Sequence, residues 1–342
     1  MTAPAAGDDR RPPTVVLCGL GTAQADLLIS NAEISERLGV ADDWISSRTG
    51  IVERRRVDAG TSTADLAVRA ATAALTSAGT HSADVVILAT ATPDHRMPGT
   101  APEVAARLGL HSIPAFDIAA ACTGLPYALQ VAKGFVADGA ARRVLVITVD
   151  RLSHLTDPED RTTAALFGDG GAAIVVRRGQ PGEPGVVGPV VLGADGWHAD
   201  ALVVPHGQFM RMRGREVFQH AVTRMSQAAE QAAAAAGWSL GDVDRFVPHQ
   251  ANARITKAVG RRLDLDGGRV LDNIAHLGNT SAASILFTLA HAASNGALRP
   301  GHRVLLAAFG AGLTWGATTL TWPDVPCVAE QSDRSHQLEA AR

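Results

Sequence analysis

Three residues far apart in the chain carry side chains from which nucleophilic chemistry can be assembled. Cys122 lies in DIAAACTGL, a thiol among small residues just before a Thr-Gly pair and the helical run LPYALQVAKGF. A thiol at a helix N-terminus meets unpaired backbone N–H groups and the positive end of the macrodipole. Both favour thiolate and would lower the pKa from about 8.5 to roughly 3.5–7.5. Ala119, Ala120, Ala121 and Gly124 leave room for a thioester to approach. A free cysteine is as often a small buried hydrophobe, so Cys122 alone decides nothing, and Cys18 in the strand-like TVVLCGLG is read in that structural way. His249 directly follows the strand-like DRFVP, and Asn279 lies in HLGNTSAAS. A histidine there can be structural and an asparagine can be a helix cap. With Thr280 or Ser281 available as the cap, the Asn279 amide is free to donate into a cavity.

An internal repeat could bring these residues together. Residues 66–92 read as an amphipathic helix ended by Gly79, then Asp84 and an apolar strand; residues 221–250 repeat that grammar with Gly237 and Asp242. Both pairs lie 158 residues apart. DGAARRVLVITVD is echoed by NGALRPGHRVLLAAFG, with Gly139 and Gly296 offset by 157. Each half closes on a Gly-rich turn and a strand, FGDGGAAIVVRR and FGAGLTWGATTLTW. The offset sets Cys122 against Asn279 and Thr280, each after a strand (AFDIAA, RVLDNI) and before a helix. The expectation is an α/β fold of two halves, residues 14–180 and 185–323, related by a pseudo-two-fold that joins the two helix N-termini. Strands such as VVILAT are continuous apolar runs and belong to sheets covered on both faces. PGEPGVVG (181–188) reads as the crossing between halves, and residues 1–13 and 324–342 as flexible tails.

Composition narrows the function class. A chain of 342 residues, 46% hydrophobic, can bury a large core, and a net charge of -3 gives no global field for nucleic acid. Three cysteines without metal-ligand spacing argue for a reducing, cytoplasmic setting with no disulfide framework and no zinc. Cys327, in the expected tail, is a poor candidate for chemistry. MTAPAAGDDRRPP has no apolar core and is not read as a signal peptide, and no run of 18 apolar residues predicts a membrane span.

In that order, ACTGL, VPHQAN and LGNTSAAS resemble the Cys-His-Asn triad of the β-ketoacyl-ACP synthase III family, within the thiolase superfamily. DDWISSRTGI, DPEDRTTAALFGDGGAA, MRGREVF and AFGAGLTWGA are similar to the same family, and the resemblance runs from residue 14 to 322. It implies a layered α-β-α-β-α fold and a two-step condensation without a redox cofactor. An acyl-CoA acylates Cys122; malonyl on acyl carrier protein then loses CO2, and the carbanion attacks the acyl-enzyme to give a 3-oxoacyl-ACP. That product would prime fatty acid or specialised polyketide synthesis. By the same resemblance, His249 and Asn279 stabilise the enolate, and the backbone N–H groups of Cys122 and Gly312 form the oxyanion hole. Ala311 stands where the family usually has a third glycine. Trp44, Arg48, Arg161, Phe218 and Arg254 match CoA-contacting positions. The basic residues Arg254, Lys257, Arg261 and Arg262, of which 254, 257 and 261 share one helix face, suit CoA phosphates and an acidic carrier protein. Met97 matches a position that caps the acyl pocket across a homodimer interface. The short segment HGQFMR stands where relatives often carry a longer flap, which implies looser acyl selection. A degradative thiolase would need a second cysteine in FGAGLTWG, which has none. Acyl transfer to an alcohol or amine, and a non-catalytic acyl-CoA-binding scaffold, are the remaining alternatives.

Overall fold

The computed structural model describes residues 14–41, 43–180, 182–265 and 268–330. A six-stranded sheet runs in spatial order Cys327–Glu330, Val15–Gln24, Asp169–Arg178, Arg143–Arg151, Val85–Ala89 and Ala115–Ile118. A four-stranded sheet runs Val187–Ala194, Thr314–Thr321, Arg303–Gly310 and Arg245–Pro248. The second sheet repeats the first in direction: two antiparallel pairings, then a parallel one.

Alternate strand residues enter different cores, which is why these strands are apolar throughout. Val144 and Val146 face inward onto the helices Gly124–Ala137 and Ser284–Ser294, which also carry Val304 and Leu306 of the other sheet. Leu145 and Ile147 face outward onto the helix Thr63–Ser77. Leu305 and Ala307 face outward onto the helix Gly214–Ala235 and the helix Ala253–Arg262. Helix, sheet, helix pair, sheet and helix therefore stack as five layers, the expected α-β-α-β-α arrangement. Close approach demands small residues at one place in particular. A side chain at Gly21 would run into the backbone of Ala73 and Ala74.

The repeat offset needs correction. Asp84 accepts from the N–H groups of Arg142 and Arg143 and donates its own N–H to the Arg143 carbonyl. Its counterpart in the second half is Asp244, which makes the same exchange with Arg303, and not Asp242. Asp242 is spent in a capping box with Ser239. That capped turn adds two residues after Gly237, so the offset from there to the helix starts Gly124 and Ser284 is 160. Cys122 is thus matched by Ala282, not by Asn279 or Thr280.

Two other expectations change. RVLDNI is not a regular strand: Val270 makes only an isolated bridge to Phe246, and a helical turn, Ile274–Leu277, follows. Residues 327–330 are not a free tail; they pair in parallel with Leu20 to Ala23. An edge strand is held by backbone hydrogen bonds and needs no side-chain periodicity, so the sequence pattern gave no sign of it. The expectations for residues 1–13 and 331–342 lie outside the described residues. No helix among the described residues is long and apolar enough to cross a membrane.

Candidate active site

Cys122 sits in the short 3-10 turn Ala121–Thr123, which runs into the helix Gly124–Ala137. Ala121 is left-handed (φ 44°), a conformation that costs a non-glycine residue about 1–3 kcal/mol and persists only where its surroundings enforce it. Here the Thr123 N–H and hydroxyl both donate to the Ala120 carbonyl, at 3.0 and 2.6 Å. Gly310 presses on the other side: a Cβ there would lie 3.0 Å from the Cys122 nitrogen. Ser281 repeats the strained geometry (φ 53°) in the second half. Its hydroxyl donates to Cys122 Sγ at 3.6 Å. The pseudo-two-fold therefore brings two mirrored elbows together, one bearing the thiol and the other a hydroxyl.

His249 directly follows Arg245–Pro248 and is tied by its N–H to the Ala307 carbonyl (2.8 Å). Its Nδ1 lies 2.7 Å from Ser284 Oγ, which also accepts from the Gln250 N–H at 3.2 Å. With that N–H occupying a lone pair, the serine hydroxyl has its proton available for Nδ1. This favours the tautomer whose Nε2 is the donor. Asn279 is held through its backbone, donating to Leu166 and accepting from Gly168. The expected cap from Thr280 or Ser281 does not form; Asn279 Oδ1 itself accepts from the Ser281 N–H at 2.9 Å. With its oxygen spent, Asn279 keeps Nδ2 for donation into the cavity.

The electrostatics overturn one expectation. Burial pushes the Cys122 thiol up to about 12, with the Asp150 charge adding to the rise and the Ser281 hydroxyl opposing it. The expected lowering by the helix terminus is outweighed, because burial penalises the charged form. Burial also drives His249 down to about 4, leaving it neutral. Asp150 is pushed up to about 6 by burial; its Oδ1 accepts from the Ala91 N–H, Thr90 and Thr92, while Oδ2 is buried without a partner. Sequence reading missed Asp150, Ser281 and Ser284. An acid closing the apolar run RVLVITV was the available signal for Asp150, whereas nothing local marks the two serines.

A cavity of about 1520 Å³ joins these groups to the surface. Cys122, His249, Asn279 and Gly312 line it, and so do Trp44, Arg48, Arg161, Phe218 and Arg254. Gly312 has φ 137°, which only glycine adopts without strain, whereas Ala311 has no positive φ. Arg48 lies over the Trp44 ring at 4.7 Å, Arg161 donates to the Leu38 carbonyl, and Arg254 donates to the Ser47 carbonyl. Residues 204–210, which connect the short strands Leu202–Val203 and Arg211–Met212, border the cavity along their whole length. Lys257, Arg261 and Arg262 lie outside it, exposed on the helix Ala253–Arg262. Met97 is also outside it and 87% exposed.

Comparison with known proteins identifies the family. The family described as 3-oxoacyl-[acyl-carrier-protein (ACP)] synthase III matches residues 116–196, and its C-terminal counterpart matches residues 233–322. The chain is 48% identical to the β-ketoacyl-[acyl-carrier-protein] synthase III 2 of Streptomyces coelicolor, covering 92% of this chain and 96% of that one. The crystal structure of the Pseudomonas aeruginosa PAO1 3-oxoacyl-(acyl carrier protein) synthase III superposes with a TM-score of 0.88 at 46% identity, covering 91% of this chain and 99% of that one. A priming β-ketosynthase from the R1128 polyketide biosynthetic pathway gives 0.86 at 33% identity, covering 94% and 100%.

Proposed function

Because this chain belongs to the β-ketoacyl-[acyl-carrier-protein] synthase III family of condensing enzymes, we propose that it condenses a CoA-borne acyl group with malonyl-ACP through an acyl-Cys122 intermediate. The observation that carries this reading is the convergence of Cys122, His249 and Asn279 at one cavity whose other lining residues include Trp44, Arg48 and Arg254. Cys122 Sγ bonds to the thioester carbonyl carbon, the bond to the CoA sulfur breaks, and CoA leaves with the proton the thiol gives up. The charge that develops on the carbonyl oxygen faces the backbone N–H groups of Cys122 and Gly312. Malonyl-ACP then loses CO2, and the electron pair builds an enolate to which His249 Nε2 and Asn279 Nδ2 donate. The carbanion attacks the acyl carbon, and Cys122 leaves as thiolate and recovers a proton from solvent. No electrons enter or leave overall, so the chemistry needs no redox cofactor. The assignment of residues 14–180 to the thiol half and 185–323 to the His-Asn half belongs to this reading, as does a cytoplasmic location.

The test is intact-protein mass spectrometry after incubation with acetyl-, isobutyryl- and medium-chain acyl-CoA. Each accepted acyl group is expected as added mass on Cys122, with kcat/KM values within about two orders of magnitude, since a methylene in an apolar pocket discriminates by only about 1–3 kcal/mol. The largely exposed stretch 204–209, with Phe209 48% exposed, supports that tolerance. Exclusive acylation by acetyl-CoA would reject it, and acyl-enzyme that never releases CO2 from malonyl-ACP would favour transfer to another acceptor.

Trp44, Arg48, Arg161, Phe218 and Arg254 are proposed to hold CoA. Arg48 and Trp44 are stacked on each other, so a purine between them requires them to part to roughly 7 Å. Removing a mouth arginine should therefore weaken binding and spare chemistry. Arg254→Ala is expected to raise KM for acyl-CoA about tenfold at unchanged kcat, as loss of one charge-assisted contact would. A fall in kcat at constant KM in steady-state kinetics would move Arg254 out of this role. Its exposed neighbours Lys257, Arg261 and Arg262 are proposed to receive the acidic carrier protein, in which case malonyl-ACP turnover should fall more steeply with salt than acylation by CoA does.

A homodimer completes the reading. Met97 is a large apolar side chain left almost bare on one chain, as expected of a residue that caps a partner's pocket. Sedimentation at assay concentration is expected to give a two-fold dimer; an active monomer would remove Met97 from the site.

A further inference from the structure

We propose that His198, Glu216 and His220 form a zinc site that clips the base of the cavity flap to the long helix beside it. The three ligand atoms lie within 4.8 Å of one another, and all three residues are half-buried. Glu216 and His220 stand one turn apart on the helix Gly214–Ala235, so both project from the same face. His198 comes from the 3-10 segment Gly196–Ala201, and its ring lies 4.5 Å from that of His220. No cysteine takes part, and eighteen residues separate His198 from Glu216. Motif spacing therefore could not disclose it.

The surroundings are those of a ligand set. His198 Nδ1 lies 3.1 Å from Asp195 Oδ2, which directs the ring proton to Nδ1 and turns the Nε2 lone pair outward. Such a carboxylate partner commonly orients a metal-bound imidazole. Asp195 is itself fixed by the Trp197 N–H and by Arg224. Glu216 is engaged by Arg213 through both carboxylate oxygens, at 2.8 and 3.3 Å, but Arg213 also holds both oxygens of Asp200, at 2.6 and 3.0 Å. Glu216 can therefore turn to a metal without stranding the arginine. Two imidazoles and one carboxylate suit Zn2+ over Ca2+ or Mg2+, which take oxygen ligands, and they leave a fourth position for water. Bond lengths of about 2.0–2.2 Å require tetrahedral ligand atoms roughly 3.4 Å apart, a closure that partly exposed side chains reach by rotation.

The location gives the site a consequence. Gly214, Val217, Phe218 and Ala221 of the same helix line the cavity, as does Ala199 of the 3-10 segment. A metal held on the adjoining face would fix the flap base against the cavity wall.

The experiment titrates untagged, EDTA-treated protein with Zn2+ by calorimetry and follows Tm. One Zn2+ per chain in the micromolar range is expected, with a rise in Tm. His198→Ala and His220→Ala should each weaken binding at least about tenfold, and Asp195→Asn by a comparable factor through the lost orienting contact. Each variant should still be acylated at Cys122, which checks that it folds. Co2+ substitution should give a visible spectrum without a thiolate charge-transfer band. No binding below millimolar Zn2+, binding undiminished in both histidine variants, or a thiolate band assigning the metal to a cysteine would each overturn the proposal.

Discussion

Cys122→Ala is expected to lose acyl-enzyme formation altogether and condensation by at least about 10⁴-fold, the scale on which a covalent nucleophile is missed. The resting thiol, pushed up to about 12 by burial, is held protonated at neutral pH. On the proposed mechanism its reactivity is created when the thioester enters, as charge moves from sulfur to a carbonyl oxygen facing the proposed oxyanion hole of the Cys122 and Gly312 N–H groups. A generic alkylating reagent brings no such complementarity, so iodoacetamide should label Cys122 slowly while acyl-CoA acylates it fast. Acyl mass on another residue, or condensation retained by the alanine variant in the same mass and CO2 assays, would reject the mechanism.

How much of this was legible depends on the kind of signal each residue carries. The duplicated α/β halves could be read because paired glycines and buried strands leave periodic traces that survive divergence; Cys122 and His249 each follow a strand, and all three residues of the triad, with Asn279, lie in motifs that carry the family resemblance. The register between halves was misjudged by two residues because Asp242 and Asp244 are chemically identical in sequence. Both bond Arg303, and only the backbone exchange with it, made by Asp244 and not by Asp242, tells which one replaces Asp84. Ser284 and Ser281 were invisible as functional groups for a related reason. Their partners, His249 and Cys122, lie 35 and 159 residues away, and a serine near a helix start is ordinarily a cap. The thiol's pKa failed differently: the helix terminus was foreseen, but desolvation is a property of the assembled pocket.

Asn279→Ala should separate the two half-reactions. On the proposed mechanism acylation uses the thiol and the two backbone donors and not the Asn279 amide, so the variant is expected to accept an acyl group at nearly the normal rate. Decarboxylation concentrates charge on the malonyl thioester oxygen, and losing one of its two donors should slow CO2 release about 10²-fold or more. The remaining donor, His249, must be neutral with its proton on Nε2. Its pKa, lowered to about 4, keeps it so across the working range. CO2 release by pre-acylated wild-type enzyme should therefore vary by no more than about twofold between pH 8 and pH 5, where a histidine at its ordinary value of about 6.5 would already be mostly cationic. The same shift has a sign for stability. The unfolded chain takes up this proton near 6.5 and the folded one only near 4, so His249 lowers stability as pH falls through that window. Asp150, raised to about 6, does the reverse, adding stability that is complete below about 4 and lost as pH rises through 6. Acid unfolding traced to these two groups should thus be muted, and Asp150→Asn should make the enzyme more sensitive to acid by leaving His249 unopposed. A variant Asn279→Ala that condenses normally but fails to acylate would reverse the division of labour, and a decarboxylation limb near pH 6.5 would mean that His249 acts by titrating and not as a fixed neutral donor.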